Sequence, residues 1–146
     1  MKNTIHYKTI QIEDFEATIT LGTQVHGEGY INSTKLNQWV NKGIKDGINA
    51  GFVAYDKDKL VGFRLTYAVG QWQLDKWCSA DLWKINQRQV CYFKCNTVDE
   101  NYRGYGIGSK LLKLSIEAAE NQGAIAGVSH LWMQSPANSA VKYFTK

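Results

Sequence analysis

Residues 97–123, TVDENYRGYGIGSKLLKLSIEAAENQG, decide the fold, because three glycines at alternate positions stand directly ahead of a run with helical periodicity. One face of that run carries the apolar residues Ile107, Leu111, Leu114 and Ala118. Most other positions hold lysine, glutamate or small residues, as expected of a helix with one face on a core, and Gly123 is a typical helix stop. Residues 89–98, QVCYFKCNTV, are typical of a β-strand. The glycines therefore form a loop between a strand and the N-terminus of a helix.

This glycine loop is suited to an anion. Gly104, Gly106 and Gly108 have no Cβ to keep a ligand away, and the N–H groups of a helix N-terminus point toward negative charge. The spacing predicts a phosphate site. Two common nucleotide-binding loops do not fit, because the dinucleotide fingerprint needs glycine at Ser109 and the P-loop needs serine or threonine at Leu111. The alternative is a tight turn that only connects the two elements.

The composition limits the class of protein. A chain of 146 residues, 44% hydrophobic and 21% charged, is expected to form a single globular domain over 1–146. The net charge of +4 is dispersed, so we expect no nucleic-acid partner, although this charge suits a small anionic ligand. No run of about 18 apolar residues occurs, so we expect no membrane segment.

The cysteines and the first residues of the chain indicate a compartment. Cys78, Cys91 and Cys95 are an odd number without disulfide or metal-ligand spacing. This favours reduced thiols, with Cys91 and Cys95 in the core, and no metal site. Residues 1–12 contain no long apolar stretch of the kind that a secretory signal needs. We therefore expect an unprocessed, soluble cytoplasmic protein.

The other elements are expected in the order strand, two helices, hairpin, strand, glycine-loop helix, strand and helix. The predicted bounds are strand 4–12, helices 14–27 and 32–47, hairpin 51–69, strand 127–134 and helix 135–146. Asn32 or Ser33 is the predicted N-cap of the second helix. The turn of the hairpin is predicted at the polar residues 56–59.

The glycine loop and its flanks resemble the acyl-CoA-binding segment of the GNAT N-acetyltransferases. The motif of that family is arginine or glutamine, two residues, glycine, one residue, then glycine or alanine, and Arg103, Gly106 and Gly108 match it. The order of elements also fits. The resemblance implies an α/β fold of the α+β type, with a mixed, mostly antiparallel sheet flanked by helices.

The resemblance implies acetyl-CoA as cosubstrate and an amine as acceptor. In that family the loop holds the CoA pyrophosphate, and the end of the preceding strand offers backbone hydrogen bonds to the pantetheine and the thioester carbonyl. The implied cofactor-binding residues are Asn96, Thr97, Val98, Arg103, Gly104, Tyr105, Gly106, Ile107, Gly108, Ser109 and Asn138.

The C-terminal residues depart from the family pattern. Where the last helix usually carries asparagine and tyrosine, this chain has Ala137 and Phe144, and Asn138 and Tyr143 lie one residue away. Trp132 stands where some members carry a glutamate. The sequence ends where the family generally continues into two further strands, so either it is a truncated product or the sheet is completed otherwise. A missing strand pair would leave an edge that invites a homodimer.

Acetyl transfer to an amine requires a neutral amine, a polarised carbonyl and a proton for the departing thiolate. Tyr143 is the predicted donor to the thiolate, although it could instead pack the core beside Phe144. His130, in a strand beside the cofactor cleft, is a candidate base or a buried core histidine. His26 and Glu28 lie where the resemblance places the acceptor wall, although loop residues of this kind often only contact solvent. The candidate catalytic residues are Tyr143, His130 and Glu28.

A tryptophan-rich insertion at about 69–88 has no counterpart in the family pattern. Its aromatic and acidic residues are Trp72, Trp77, Trp83, Asp75 and Asp81. Together they could form a wall for a cationic amine. The alternative is that the indoles pack over the core or against a second chain.

The sequence thus predicts an N-acetyltransferase that moves an acetyl group from acetyl-CoA to a primary amine by direct transfer in a ternary complex. The main alternative is a non-catalytic acyl-CoA-binding or regulatory module. A third reading is an interaction protein that keeps the fold without the ligand.

Overall fold

A computed structural model describes residues 4–41, 47–68 and 90–128. The strands in these residues are β1 (His6–Thr9), β2 (Phe52–Asp56), β3 (Lys59–Ala68), β4 (Val90–Val98) and β5 (Ala126–Val128). The helices are α1 (Phe15–His26), α2 (Ser33–Leu36), which continues as a π-helical turn over Asn37–Asn41, and α3 (Ile107–Asn121). Short 3-10 turns occupy Ile12–Asp14 and Glu100–Tyr102.

The five strands form one sheet in the order β1-β2-β3-β4-β5. The first four are antiparallel, whereas β5 runs parallel to β4. This confirms the expected mixed, mostly antiparallel sheet. The predicted hairpin is β2–β3, and its turn is tighter than predicted because strand pairing continues to Asp56 and Lys59. Lys57 accommodates the tight turn with a positive φ of 56°.

A bulge in β4 changes which face of the sheet its side chains occupy. Leu65 of β3 pairs with Cys95 and Thr66 with Phe93, so Lys94 is an extra residue in β4. Because side chains alternate along a strand, one extra residue shifts the alternation.

The packing on either side of the bulge shows this shift. Cys91, ahead of it, is buried with Ala119 of α3, and Val98, beyond it, also packs on the α3 side, against Ile107 and Leu111. Cys91, an odd-numbered residue ahead of the bulge, and Val98, an even-numbered residue beyond it, thus have their side chains on the same face of the sheet. The bulge thereby leaves Thr97 on the opposite face, toward α1.

Helices cover both faces of the sheet. On one face, Phe63 and Leu65 of β3 pack with Phe15 and Leu21 of α1. On the other, α3 lies close to β3 at Gly62, where an added Cβ would come within 3.1 Å of the Ile107 side chain. The glycine therefore permits the close approach of helix and sheet.

Helix α3 has nearly the predicted bounds and a rotated buried face. Its buried residues are Ile107, Leu111, Leu112, Ser115 and Ala119. Leu114 and Ala118, predicted on that face, are only half-buried. Buried Ser115 donates a 2.6 Å hydrogen bond to the carbonyl of Ala50 and lies 2.7 Å from Oγ1 of Thr66, a polar contact that apolar spacing cannot reveal. Gly123, at φ 101°, follows the helix end as predicted.

The remaining predictions have mixed outcomes. β1 is shorter than the predicted strand, α1 agrees closely, and Asn32 is the N-cap of α2. Cys91 is buried as expected. β5 coincides with the beginning of the strand predicted at 127–134, and the rest of that range lies outside the described residues. The tryptophan-rich insertion and the last predicted helix lie outside the described residues. Within the described ranges, every helix is too short or too polar to cross a bilayer.

Candidate active site

The end of β4 is fixed to the neighbouring strand before the glycine loop begins. The N–H of buried Asp99 donates a 2.8 Å hydrogen bond to the carbonyl of Val61. Its carboxylate accepts the N–H of Asn101 at 2.9 Å and lies 3.6 Å from the Lys59 ammonium. Asp99 therefore anchors the start of the loop to β3.

Tyr102 ties the next part of the loop to the β2–β3 turn. Its hydroxyl donates a 2.6 Å hydrogen bond to the carboxylate of Asp56. This hydrogen bond is the main reason that the pKa of Tyr102 is raised above its usual value. The N–H of Tyr102 also donates to the carbonyl of Asp99 at 2.8 Å. Both contacts fix the loop, one to the β2–β3 turn and the other to the end of β4.

Two of the glycines leave open space at the N-terminus of α3. Gly104 and Gly106 have φ angles of 87° and 79°, and a Cβ built on either would meet no atom of the described residues within 4 Å. Gly106 is the N-cap of α3, and in the part of the chain that the structure describes no side chain caps this helix. The first intrahelical bond runs from the N–H of Lys110 to the carbonyl of Gly106 at 3.0 Å. The three N–H groups between them therefore lack intrahelical partners.

Gly108 also lies against β4. It is within α3, and a Cβ at this position would come within 2.9 Å of Nδ2, at the end of the Asn96 side chain. The sequence motif predicts close approach of a ligand at all three glycines, and the third has this contact in addition.

The glycine loop presents positive charge. Arg103 is exposed, and its Nε donates a long 3.4 Å hydrogen bond to the carbonyl of Val98. Tyr105 is 58% exposed between the two open glycines. The guanidinium thus stands beside an uncapped helix N-terminus, which carries a partial positive charge of its own. Together they favour an anion over a cation at this loop.

His26, the last residue of α1, reaches the same end of the sheet. Its Nε2 lies 2.8 Å from Oγ1 of Thr97, and its ring stacks on Tyr30 with centroids 4.1 Å apart. Burial first, and then the positive charge of Arg103, lower the pKa of His26 below its usual value. The helix α1, the following loop and β4 therefore meet at this imidazole.

The structure describes most of the predicted site residues. Asn96–Val98 at the end of β4 and residues 103–109 are held together by the contacts above. Glu28 lies in an exposed loop and makes no hydrogen bond within the described residues. His130, Asn138 and Tyr143 lie outside the described residues. The contact that sequence reasoning missed is His26 with Thr97, which are 71 positions apart and share no local pattern.

A separate groove of about 450 Å³ runs between α1 and the start of β3. Its lining includes Glu13, Glu16 and Asp99, together with Lys59, whose ammonium lies 3.6 Å from the Asp99 carboxylate. Because carboxylates dominate its charge, the groove is unsuited to phosphate, unlike the glycine loop. Among the described residues, no group of three or more histidine, cysteine, aspartate or glutamate side chains could hold a metal ion.

Residues 13–146 match the sequence profile of the acetyltransferase (GNAT) family. The chain belongs to the GNAT family of acetyltransferases. This confirms the resemblance carried by the glycine motif, and it places the protein among the acyltransferases. No curated protein sequence gives a significant match to the chain.

Solved GNAT structures share the fold at low sequence identity. An aminoglycoside acetyltransferase, meta-AAC0020 from an uncultured soil metagenomic sample, in complex with sisomicin, is 18% identical with a TM-score of 0.70, covering 99% of this chain and 88% of that one. The NatC complex bound to Gag peptide and CoA is 17% identical in sequence with a TM-score of 0.69, covering 96% of this chain and 80% of that one. AAC(6')-Iy in complex with a bisubstrate analog, CoA-S-monomethyl-acetylneamine, is 14% identical in sequence with a TM-score of 0.67. The match covers 97% of this chain and 92% of that one.

Proposed function

We propose that this GNAT protein transfers an acetyl group from acetyl-CoA to a primary amine by direct attack in a ternary complex, in the cytoplasm. The observation that carries the proposal is the uncapped N-terminus of α3 beside the end of β4. The CoA pyrophosphate would accept hydrogen bonds from the N–H groups of Ile107, Gly108 and Ser109, and Arg103 would add a charge-assisted contact.

The end of β4 is suited to the rest of the cosubstrate. Within the described residues, β5 pairs with β4 only at Val90–Tyr92, so the edge at Asn96–Val98 has no strand partner on that side there. Backbone groups on this edge can bind the extended pantetheine and donate to the thioester carbonyl. A donor placed at that oxygen stabilises the negative charge that develops on it during attack.

Direct transfer is favoured over an acetylated protein intermediate. One route to an intermediate of that kind is attack by a cysteine thiolate. Among cysteines whose side chains the structure describes, Cys91 is buried, and burial raises its pKa to about 12. Its thiol therefore stays protonated. Tyr143 remains the proposed proton donor to the CoA thiolate, and Glu28 and His130 are proposed to face the acceptor.

Thiol release on mixing the protein with acetyl-CoA and amines tests this function. The panel should include an aminoglycoside such as sisomicin, which one structural neighbour binds, a peptide with a free N-terminus and a polyamine. We expect release of CoA thiol that depends on one class of amine, with matching acetylated product by mass spectrometry. Binding of CoA without release for any amine would instead support a non-catalytic module.

Initial-velocity kinetics separate the two transfer routes. Direct attack in a ternary complex gives intersecting double-reciprocal lines when both substrates are varied. Parallel lines together with an acetylated protein would contradict it, because they indicate a covalent intermediate.

A further inference from the structure

One ionisable side chain at the end of β4 has no role in the cosubstrate contacts proposed above. His26 is held by Thr97 on one side and by the ring of Tyr30 on another. Its side chain nevertheless keeps an exposed surface. Within the described residues, Nδ1 has no hydrogen-bonding partner, and Gly27 and Gly29 with positive φ follow it in an open loop. This is an oriented and accessible imidazole rather than a core histidine.

We propose that His26 accepts the proton that the acceptor ammonium must lose before attack, and that Thr97 is the positioning residue that orients the ring. This inference rests on the proposed acetyl transfer. Its basis is placement: the imidazole is bonded to a residue within Asn96–Val98, the segment proposed to hold the thioester, so a base at this point lies next to the reacting carbonyl.

The proton balance determines the form of the ring. For Nδ1 to accept, Nε2 must carry the hydrogen and donate it to Oγ1 of Thr97. The acceptor R–NH₃⁺ then gives one proton to Nδ1, forming imidazolium and R–NH₂. The amine lone pair forms the C–N bond, the C–S bond breaks, and the thiolate leaves with its electron pair and is protonated. The amide nitrogen loses its extra proton to solvent, and so does the imidazolium before the next turnover.

The charges around His26 are consistent with a base that works at neutral pH. Arg103 is the charged group that acts on it, and it disfavours the imidazolium. In the described structure, the ring also contacts the Thr97 hydroxyl and the aromatic ring of Tyr30. The imidazole is therefore neutral and ready to accept a proton at pH 7, since its pKa is below the usual 6.5.

The test compares His26→Gln with His6→Gln, a matched change at an exposed histidine of β1. At saturating substrates and neutral pH, His26→Gln should lower kcat by about 10² to 10⁴, the usual contribution of a general base. CoA affinity by calorimetry should stay within error, and His6→Gln should match the parent. In His26→Ala, added imidazole should restore part of the rate, which a merely structural role does not predict.

The pH profile gives a second readout. In the parent, kcat should fall as pH drops through the pKa of His26, below 6.5. Arg103→Gln removes the positive charge, so the pKa should rise and the acid limb should move to higher pH. Thr97→Val should lower kcat by up to about tenfold through loss of one orienting hydrogen bond.

Three results would overturn the role of His26. If His26→Gln kept the kcat and the acid limb of the parent, with normal thiol release, His26 would not be the general base. The proposed acetyl transfer would be unaffected. A raised KM for acetyl-CoA with unchanged kcat would assign the ring to cosubstrate binding instead. Absence of thiol release from the parent with every amine would overturn both proposals.

Discussion

The segments that lead into α1 and α3 differ in how their polar groups are paired. The segment before α1 pairs them within the chain, whereas the segment before α3 leaves backbone N–H groups exposed. Before α1, the carboxylate of buried Asp14 accepts the Lys8 ammonium at 2.7 Å, the N–H of Gln11 at 2.9 Å and the Tyr55 hydroxyl at 2.7 Å. Before α3, Gly106 offers no side chain to the backbone N–H groups. One segment thus carries its own anion, and the other leaves room for the anion of a ligand.

The contrast separates structural charge from binding capacity. Asp14 is saturated with partners, and burial together with its hydrogen bond raises the pKa of Tyr55. Such a carboxylate serves stability. The glycine loop keeps its donors and Arg103 exposed, so it adds little to stability and can serve a ligand. Mutations in the two segments should therefore affect different measurements.

The largest effect is expected from Asp14→Ala. The change leaves the Tyr55 hydroxyl and the Gln11 N–H without their partner, and Lys8 loses a close ion pair. Breaking a buried pair costs about 3 to 5 kcal/mol, and the lower figure applies because the Lys8 side chain is 35% exposed. Urea denaturation should show that loss, with CoA affinity of the folded fraction unchanged. Glu117→Ala, at an exposed position of α3, is the control. If Asp14→Ala were as stable as Glu117→Ala, the buried carboxylate would not have the stabilising role that distinguishes its segment from the glycine loop.

Gly106→Val, in the glycine loop, should affect CoA affinity more than stability, the reverse of Asp14→Ala. A valine at a φ of 79° is strained by about 1 to 2 kcal/mol, and its side chain fills the space proposed for the pyrophosphate. CoA affinity should fall by about 100-fold, or about 2.7 kcal/mol. Gly123→Val, at φ 101° beyond the other end of the same helix, carries similar strain without a ligand site. Calorimetric titration of both variants with CoA separates the effect of backbone strain from the effect on binding. Equal CoA affinities of the two variants would contradict a pyrophosphate site at Gly106.

Arg103→Ala should have a smaller effect on binding. One charge-assisted contact is lost, whereas the backbone N–H groups remain. We expect CoA affinity to fall about tenfold at low salt and less at high salt, since the side chain is exposed and its charge is screened. Titrations at two ionic strengths check this. Lys113→Ala, which removes an exposed charge from α3, should have no effect. A loss as large as that of Gly106→Val would mean that charge rather than space dominates the loop.

The smallest effect is expected at the start of α2, where the chain supplies a neutral cap. The Asn32 side chain accepts the N–H of Lys35 at 2.8 Å. Asn32→Ala should lower stability by about 1 kcal/mol, as is typical for loss of an N-cap. A thermal melt measures the change, and CoA titration should show no difference. Weakened CoA binding would instead place this helix start in the site.

Local patterns predicted the parts of this molecule that depend on neighbouring residues. The β2–β3 hairpin, the Asn32 cap and the bounds of α3 follow from alternation, turn chemistry and helical spacing. The open loop was also predictable, because Gly104 and Gly106 lie where the chain adopts a positive φ, which glycine tolerates best. These features require only a few consecutive residues.

Other features depend on residues far apart in the chain. Buried Ser115 donates a hydrogen bond to a carbonyl in another element, and Gly108 lies against the side chain of Asn96. The pairing of His26 with Thr97 depends on where α1 ends relative to β4. Periodicity cannot report such contacts, since each is set by tertiary packing.

The bulge at Lys94 determines which residues of β4 face which helix. If Lys94 were instead drawn into regular pairing with β3, every later residue of β4 would move to the opposite face of the sheet. The Thr97 hydroxyl that now meets His26 would turn toward α3, and the Asn96 amide would take its place. Deleting Lys94 would remove the extra residue and keep Asn96 and Thr97 opposite Arg64 and Phe63, on their present faces. The bulge therefore absorbs one residue of length difference, and homologous chains should be aligned on it before their residues are compared.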